Sequence, residues 1–248
     1  MLKIIMDADM FAFRASITVE TEINWQGDLW TMHSDLADAK ATFDDTTQNI
    51  VDKILAHYKY EGEYEIIMCL SSASNFRKQV LPTYKLNRAS KRKPLAYTAL
   101  VDWITDNYTC CQIDGLEADD CIGILATTPG TNAVICSGDK DMRSIPGRYY
   151  DFIHDIYYDI SEYEANYRHL WQTLVGDIAD NYKGCPGIGE VSAKKLLDKD
   201  CSWKAVLDAF SKKGLPEYEA LAQARVARIL RYSDYDFEKN KPILWTPT

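Results

Sequence analysis

Carboxylates recur in four short segments of this 248-residue chain: Asp7 and Asp9 in MDADM, Glu117, Asp119 and Asp120 in LEADDCIGI, Asp139 and Asp141 in SGDKD, Asp177 and Asp180 in GDIADN. Taken singly, each segment has an ordinary explanation. Acidic residues are favoured at a helix N-terminus, and Asp in a G-D-K-D string suits a turn or a cap. Glu117 and Asp120, three residues apart, share one face if LEADDCIGI opens a helix. Meeting at one place, the segments would be costly. Two unit charges about 4 Å apart at an effective dielectric near 20 repel by about 4 kcal/mol, so the cluster calls for a cation. Oxygen donors without His or Cys at matching spacing suit Mg²⁺ or Mn²⁺ rather than zinc. The four histidines, at 33, 57, 154 and 169, lie away from these motifs in sequence and read as packing residues.

The formal net charge of −9 counts against a nucleic-acid partner, but its distribution does not. No acidic residue lies between Glu65 and Asp102, a window that holds Arg77, Lys78, Lys85, Arg88, Lys91, Arg92 and Lys93. A second set, Lys194, Lys195, Lys199, Lys204, Lys212 and Lys213, lies near the C-terminus. An acidic metal cluster beside a basic arm suits phosphodiester chemistry. Two ions about 3.5–4 Å apart can activate water and stabilise the leaving oxygen, while Lys and Arg neutralise the scissile phosphate. Seven cysteines without a C-x-x-C pair argue for reduced thiols rather than disulfides or structural zinc. No run is long enough for a membrane span and MLKIIMDADM lacks a signal-peptide core, so the expected location is the cytoplasm.

The elements that must position these groups can be read from hydrophobic period. LKIIMD (2–7), YEIIMCL (64–70) and TNAVICSGD (131–139) read as buried strands, with RYYDFIHDIYYDI (148–160) a further strand or hairpin towards the sheet edge. Residues 34–58, capped by Ser34, and 95–107 read as helices, and CIGILA continues the acidic segment as an apolar helix. The expected fold class is α/β: a mostly parallel central sheet with flanking helices, which places ligands beyond the carboxyl ends of the strands, where Asp7 and Asp139 fall. From about Ser161 the pattern turns helical, through EYEALAQARVARILRY, interrupted by the Gly/Pro turn YKGCPGIGE. The expected division is a core over 1–160, with the basic segment at about 71–94, and a helical region over 161–248.

LEADDCIGILA, SGDKDMRSI and GDIADNYKGCPGIGEVSAKKLL together resemble the 5′-nuclease family, which includes flap endonucleases and the 5′-nuclease domain of bacterial DNA polymerase I. NFRKQVLPTYKLNRASKRKP resembles its arch, with Tyr84-Lys85-x-x-Arg88 matching the Tyr-Lys-x-x-Arg signature. The likeness is strongest to the 5′→3′ exonucleases of short-tailed lytic bacteriophages and covers nearly the whole chain. It implies a PIN-like nuclease core with a helix-three-turn-helix at about 176–198. Asp7, Glu117, Asp119 and Asp120 would hold a first Mg²⁺ or Mn²⁺, and Asp139, Asp141, Asp177 and Asp180 a second. Lys85 and Arg88 would be the catalytic cations facing the scissile phosphate, and Tyr84 or Phe76 would stack a base. DNA would also be gripped by Arg77, Lys78, Lys91, Arg92 and Lys93, and by the hairpin glycines Gly184, Gly187 and Gly189 with Lys194 and Lys195, where the family binds K⁺. The implied substrates are duplex DNA with 5′ ends or flaps, and RNA–DNA hybrids, cut by a monomer in the cytoplasm of an infected cell. The implied work is phage DNA replication, primer removal, host DNA degradation and recombination.

One departure stands out. The family carries another Asp just after the second strand, where this chain has Ser71 and Ser72. That motivates one rival, a catalytically impaired DNA-binding protein, against which the surviving carboxylates count. A PIN-like ribonuclease is the other rival, disfavoured by GCPGIG and its following lysines.

Overall fold

A computed structural model describes residues 1–88 and 91–247; Ala89 and Ser90 of the expected arch, and Thr248, lie outside the described residues. In chain order the elements of the first half are β1 (Leu2–Asp7), α1 (Ala8–Thr18), β2 (Glu20–Gln26), β3 (Leu29–Ser34), α2 (Leu36–Tyr58), β4 (Tyr64–Cys69), α3 (Arg77–Val80), α4 (Tyr97–Asn107), β5 (Cys110–Cys111) and α5 (Ala118–Ala126). There follow β6 (Ala133–Ser137), β7 (Gly147–Asp151), β8 (Ile156–Ile160), α6 (Glu162–Val175), α7 (Glu190–Leu197), α8 (Trp203–Ser211), α9 (Glu217–Ala227), β9 (Tyr235–Asp236) and β10 (Lys241–Pro242).

Among the described residues the main sheet has six strands in the order β5-β4-β1-β6-β7-β8. All neighbours are parallel except the β7–β8 hairpin at the edge. β1 lies between β4 and β6 and is buried on both faces, which explains its unbroken apolar run. One face packs under α1, α2 and α4 through Phe11, Phe43, Ile54 and Leu100. The other packs under α5 through Ile5, Ile122, Ile135 and Tyr149. Register aligns Asp7 with Cys69 and Met6 with Cys136, so the carboxyl ends of β1, β4 and β6 share one edge.

Three boundaries differ from the sequence reading. α2 is capped by Asp35, whose Oδ1 accepts from Ala37 N at 2.7 Å, and not by Ser34. The β2–β3 hairpin escaped the periodicity reading; its available signal is Gly27-Asp28, with Gly27 at φ +61°, between two strand-like runs. α9 stops at Ala227 instead of running through Tyr232. Beyond it Ile229 and Leu230 turn into the core under α5. Gly123 of α5 permits this approach, since a Cβ there would stand 2.2 Å from the Leu230 carbonyl oxygen. The tail of the expected helical region therefore packs as part of the α/β core. α6 begins at Glu162 after the Ser161 cap, and α6, α7 and α8 enclose a core of their own around Leu174, Ala193, Leu197 and Phe210.

Candidate functional site

The common strand edge gathers the carboxylates. Asp7 closes β1, and its Oδ1 accepts from Met10 N at 3.1 Å while Ser137 Oγ donates to Oδ2 at 2.8 Å. Asp139 follows β6 and caps the short helical turn 140–144, accepting from Asp141 N at 2.8 Å. Burial lifts the Asp7 carboxyl to about 6, and the charges of Asp9 and Asp139 add to the rise. Burial, then the charges of Asp7 and Asp139, push Asp119 well above the ordinary carboxylate range, with Lys85 opposing. Asp141 also rises to about 6, by burial and by Asp139, although Arg168 NH2 lies 3.3 Å from its Oδ1.

Two cationic residues of the arch segment close over this edge. Lys85 Nζ pairs with Glu117 and stands 3.5 Å from Asp180, and the Arg88 guanidinium pairs with Asp180. Burial opposes ionisation of Glu117, yet Arg77 and Lys85 hold its carboxyl down to about 2. Asp177 caps its own loop, accepting from Ala179 N at 2.6 Å; its charge bears on Asp141, and Asp180 meets Lys85 and Arg88, which ties the second acidic pair to the site.

Several expected roles need correction. Asp120 is fully buried and takes no part in the edge. Its Oδ2 accepts from Arg77 NH1 at 2.6 Å, and its Oδ1 from Arg77 NH2 at 2.7 Å and Leu230 N at 3.0 Å. With Glu117 N donating to Oδ2 at 3.2 Å as well, all four lone-pair directions of the carboxylate are used and none is left for a metal. Arg77 is correspondingly buried rather than DNA-facing, and its remaining donors bind the Val226 and Arg228 carbonyls at 3.0 and 2.6 Å. Tyr84 and Phe76 are buried too, and neither ring is free to stack a base. Tyr84 OH instead lies 2.9 Å from Glu117 and 3.0 Å from Asp180, able to donate to one at a time. The Gly184 amide is spent on Gln223 Oε1 at 2.8 Å, and a Cβ at Gly184 would stand 2.4 Å from Gly176 N. It joins two backbone segments and does not face a phosphate.

Gly187 and Gly189 are exposed ahead of α7, as are Lys194 and Lys195 on it, with Lys194 paired to Asp198. Lys78 and Lys91 are exposed, whereas Arg92 forms a two-pronged pair with Glu20 at 2.8 Å and Lys93 lies over the Tyr97 ring. One residue of the neighbourhood was not assigned from sequence, whereas Asp9 was among the candidate carboxylates. Arg168 reaches Asp141 from α6, a contact between distant segments that no local pattern encodes. Asp9 occupies the neighbourhood of the missing carboxylate: Ser71 N donates to its Oδ2 at 3.0 Å and Tyr97 OH to its Oδ1 at 3.1 Å. Ser71 itself caps α5, its Oγ accepting from Ala118 N at 3.0 Å.

Among the described residues no group of three His, Cys, Asp or Glu side chains is already arranged to hold an ion. The donor chemistry nevertheless fits a hard divalent cation. Asp7 and Asp119 are oxygen donors whose affinity for positive charge is raised, with the Asp139 carboxylate beside them, and Lys85 offsets Asp119 only in part.

A family model described as the 5′-3′ exonuclease, N-terminal resolvase-like domain matches residues 3–168. The exodeoxyribonuclease of Enterobacteria phage T3 is 27% identical, over 98% of this chain and 92% of that protein. The exonuclease of Escherichia phage T7 is likewise 27% identical, over 98% and 93%. Among solved structures, the bacteriophage T5 D15 flap endonuclease, a pseudo-enzyme-product complex with DNA and metal ions, has a TM-score of 0.66. That likeness spans 92% of this chain and 89% of that one at 15% identity, and is one of fold.

Proposed function

This chain belongs to the 5′-3′ exonuclease family and is a 5′ nuclease that hydrolyses phosphodiester bonds; from that premise we propose how its own residues do so. The observation that carries the reading is the convergence of Asp7 and Asp139, at the carboxyl ends of parallel strands, with Asp119 from the first turn of α5, under the cations of the arch segment. The substrate is duplex DNA entered from a 5′ end or flap, with RNA–DNA hybrids accepted, and the working form is a monomer.

Asp7, Glu117 and Asp119, helped by Asp9, would hold one Mg²⁺ or Mn²⁺. Asp139 and Asp141, with Asp177 and Asp180, would hold another. Bound there, the ions would supply an activated water and stabilise charge on the leaving oxygen. The chain contributes the rest. Lys85 and Arg88 neutralise phosphate charge from the open side of the site. Tyr84, locked between Glu117 and Asp180, keeps the two acidic segments in one orientation. Gly187, Gly189, Lys194 and Lys195 grip the duplex backbone at a distance from the cut, with K⁺ on the turn they border. Among the described residues no helix is long and apolar enough to cross a membrane.

The test supplies 5′-labelled duplex DNA, flap DNA and single-stranded RNA, each with Mg²⁺ or with chelator. Metal-dependent release from the 5′ end of DNA is expected. Cleavage of RNA alone would replace the reading with a ribonuclease.

A further inference from the structure

A cavity of about 590 Å³ opens between the turn 140–144, β8, α6 and α7. That volume suits a small molecule. Its walls are aromatic: Tyr158, Tyr163, Tyr167 and Trp171. Tyr163 and Tyr167 stand 6.5 Å apart, and Tyr167 is held in place by its hydroxyl on Asp198 at 2.8 Å. Arg143 lies over the Tyr158 ring at 5.1 Å and Arg168 over the Trp171 ring at 4.2 Å. Aromatic rings and guanidinium planes are both surfaces on which a nucleobase stacks.

The polar groups of the lining divide into spent and unspent. Glu164 is taken by the Ser161 cap, and Asp198 by Lys194 and Tyr167. Arg168 commits one nitrogen to Asp141 at 3.3 Å, but its Nε is buried and meets no acceptor among the described residues. A buried N–H without an acceptor is costly, and a ligand atom that accepted from it would remove that cost. Asp159 and Glu190 line the same cavity, and among the described residues neither carboxylate meets a cation or a donor. One aromatic cleft therefore carries an unpaired guanidinium N–H together with unpaired carboxylates.

Guanine matches that set. Its N1–H and N2–H donate side by side, so the two oxygens of one carboxylate accept them together, while O6 and N7 accept from a guanidinium. Adenine presents no such pair of adjacent donors, and the pyrimidines offer a smaller ring to stack. Arg143 is exposed and forms no ion pair among the described residues, which leaves its charge for a phosphate.

We propose that this cavity binds a guanine mononucleotide, with Asp159 or Glu190 and the Arg168 Nε holding the base and Arg143 the phosphate. The proposal rests on the nuclease reading only for the source of the ligand, since hydrolysis from a DNA end releases mononucleotides. Arg168 joins the site to the acidic edge through Asp141.

The experiment is isothermal titration in chelator, without DNA, with dGMP, deoxyguanosine, dAMP and dTMP as probes. On the wild type dGMP should bind at least about tenfold more tightly than dAMP or dTMP, the worth of one charge-assisted pair. Asp159→Asn combined with Glu190→Gln should abolish that preference. Arg143→Ala should weaken dGMP by about fivefold and leave deoxyguanosine unchanged. All three positions are exposed, so the fold is not at stake. Equal affinity for all four probes would overturn guanine recognition, as would a preference that survives the double variant. No heat from dGMP at about 10 mM would overturn the site itself. Binding of dGMP by a protein that cuts no DNA in Mg²⁺ would support the site and overturn the nuclease reading alone.

Discussion

Asp119 and Asp120 are consecutive residues in the first turn of one helix, and they belong to opposite regions of the molecule. Asp119 looks onto the strand edge, where burial, and then the charges of Asp7 and Asp139, drive its carboxyl upward. Asp120 points the other way, into a dry layer between α5 and the C-terminal tail, where Arg77 meets both its oxygens. The chain supplies the counter-ion in one place and withholds it in the other. Where Arg77 neutralises the charge, the carboxylate holds segments together. Where only Lys85 leans in from the arch, affinity for an added cation remains.

Breaking the buried layer should have the largest effect. Arg77→Met or Asp120→Ala strands one charge in the interior and should cost about 3–5 kcal/mol of stability, measured by urea unfolding. A loss under 1 kcal/mol would show that water reaches the pair. At the open edge the pattern should invert. Asp139→Asn should cut turnover by roughly a thousandfold, several kcal/mol of barrier, while DNA binding and melting temperature hold or improve. If binding collapsed with activity, Asp139 would be architectural.

The two regions should also respond differently to pH. Asp7 and Asp141 each have a folded value near 6, above the usual carboxylate value of 3.8, so the folded state binds protons that the unfolded state does not. In chelator, stability should therefore rise as pH falls from 7 through 6 towards 4, by roughly 1 kcal/mol per group at pH 5. Mg²⁺ should reverse the trend, since protons and metal compete for the same oxygens. Thermal unfolding at pH 7 and pH 5, with Asp7→Asn as control, reads this directly; a flat profile in the wild type would mean the edge is already compensated.

Smaller effects are expected among the outer cations. Lys85→Ala should lower cleavage rate by about a hundredfold with little change in affinity. Lys195→Ala should leave the rate alone and reduce the salt dependence of binding by about one counter-ion. Equal effects of both on affinity would erase the distinction between catalytic and gripping cations.

Much of this was legible before any fold was known. The runs LKIIMD, YEIIMCL and NAVICS announce buried parallel strands because burial on both faces leaves no polar alternation, and Asp7 and Asp139 follow from ending such strands. The hairpin over 20–34 was less legible, because its side chains are largely exposed and burial imposes no strong pattern on them. The residues misread most, Arg77, Tyr84, Asp120 and Gly184, share one property. Each looks like a site residue by type and motif, and each is consumed by a partner far along the chain: Val226 and Arg228, Asp180, Leu230, Gln223.

Sequence by itself determined which groups could do chemistry and that strand ends would bring them together, since hydrophobic period and residue type are local properties. Only the tertiary structure decided which carboxylates keep their charge uncompensated. That depends on where distant side chains come to rest, and on whether low-dielectric burial places a guanidinium or an open cleft opposite each one.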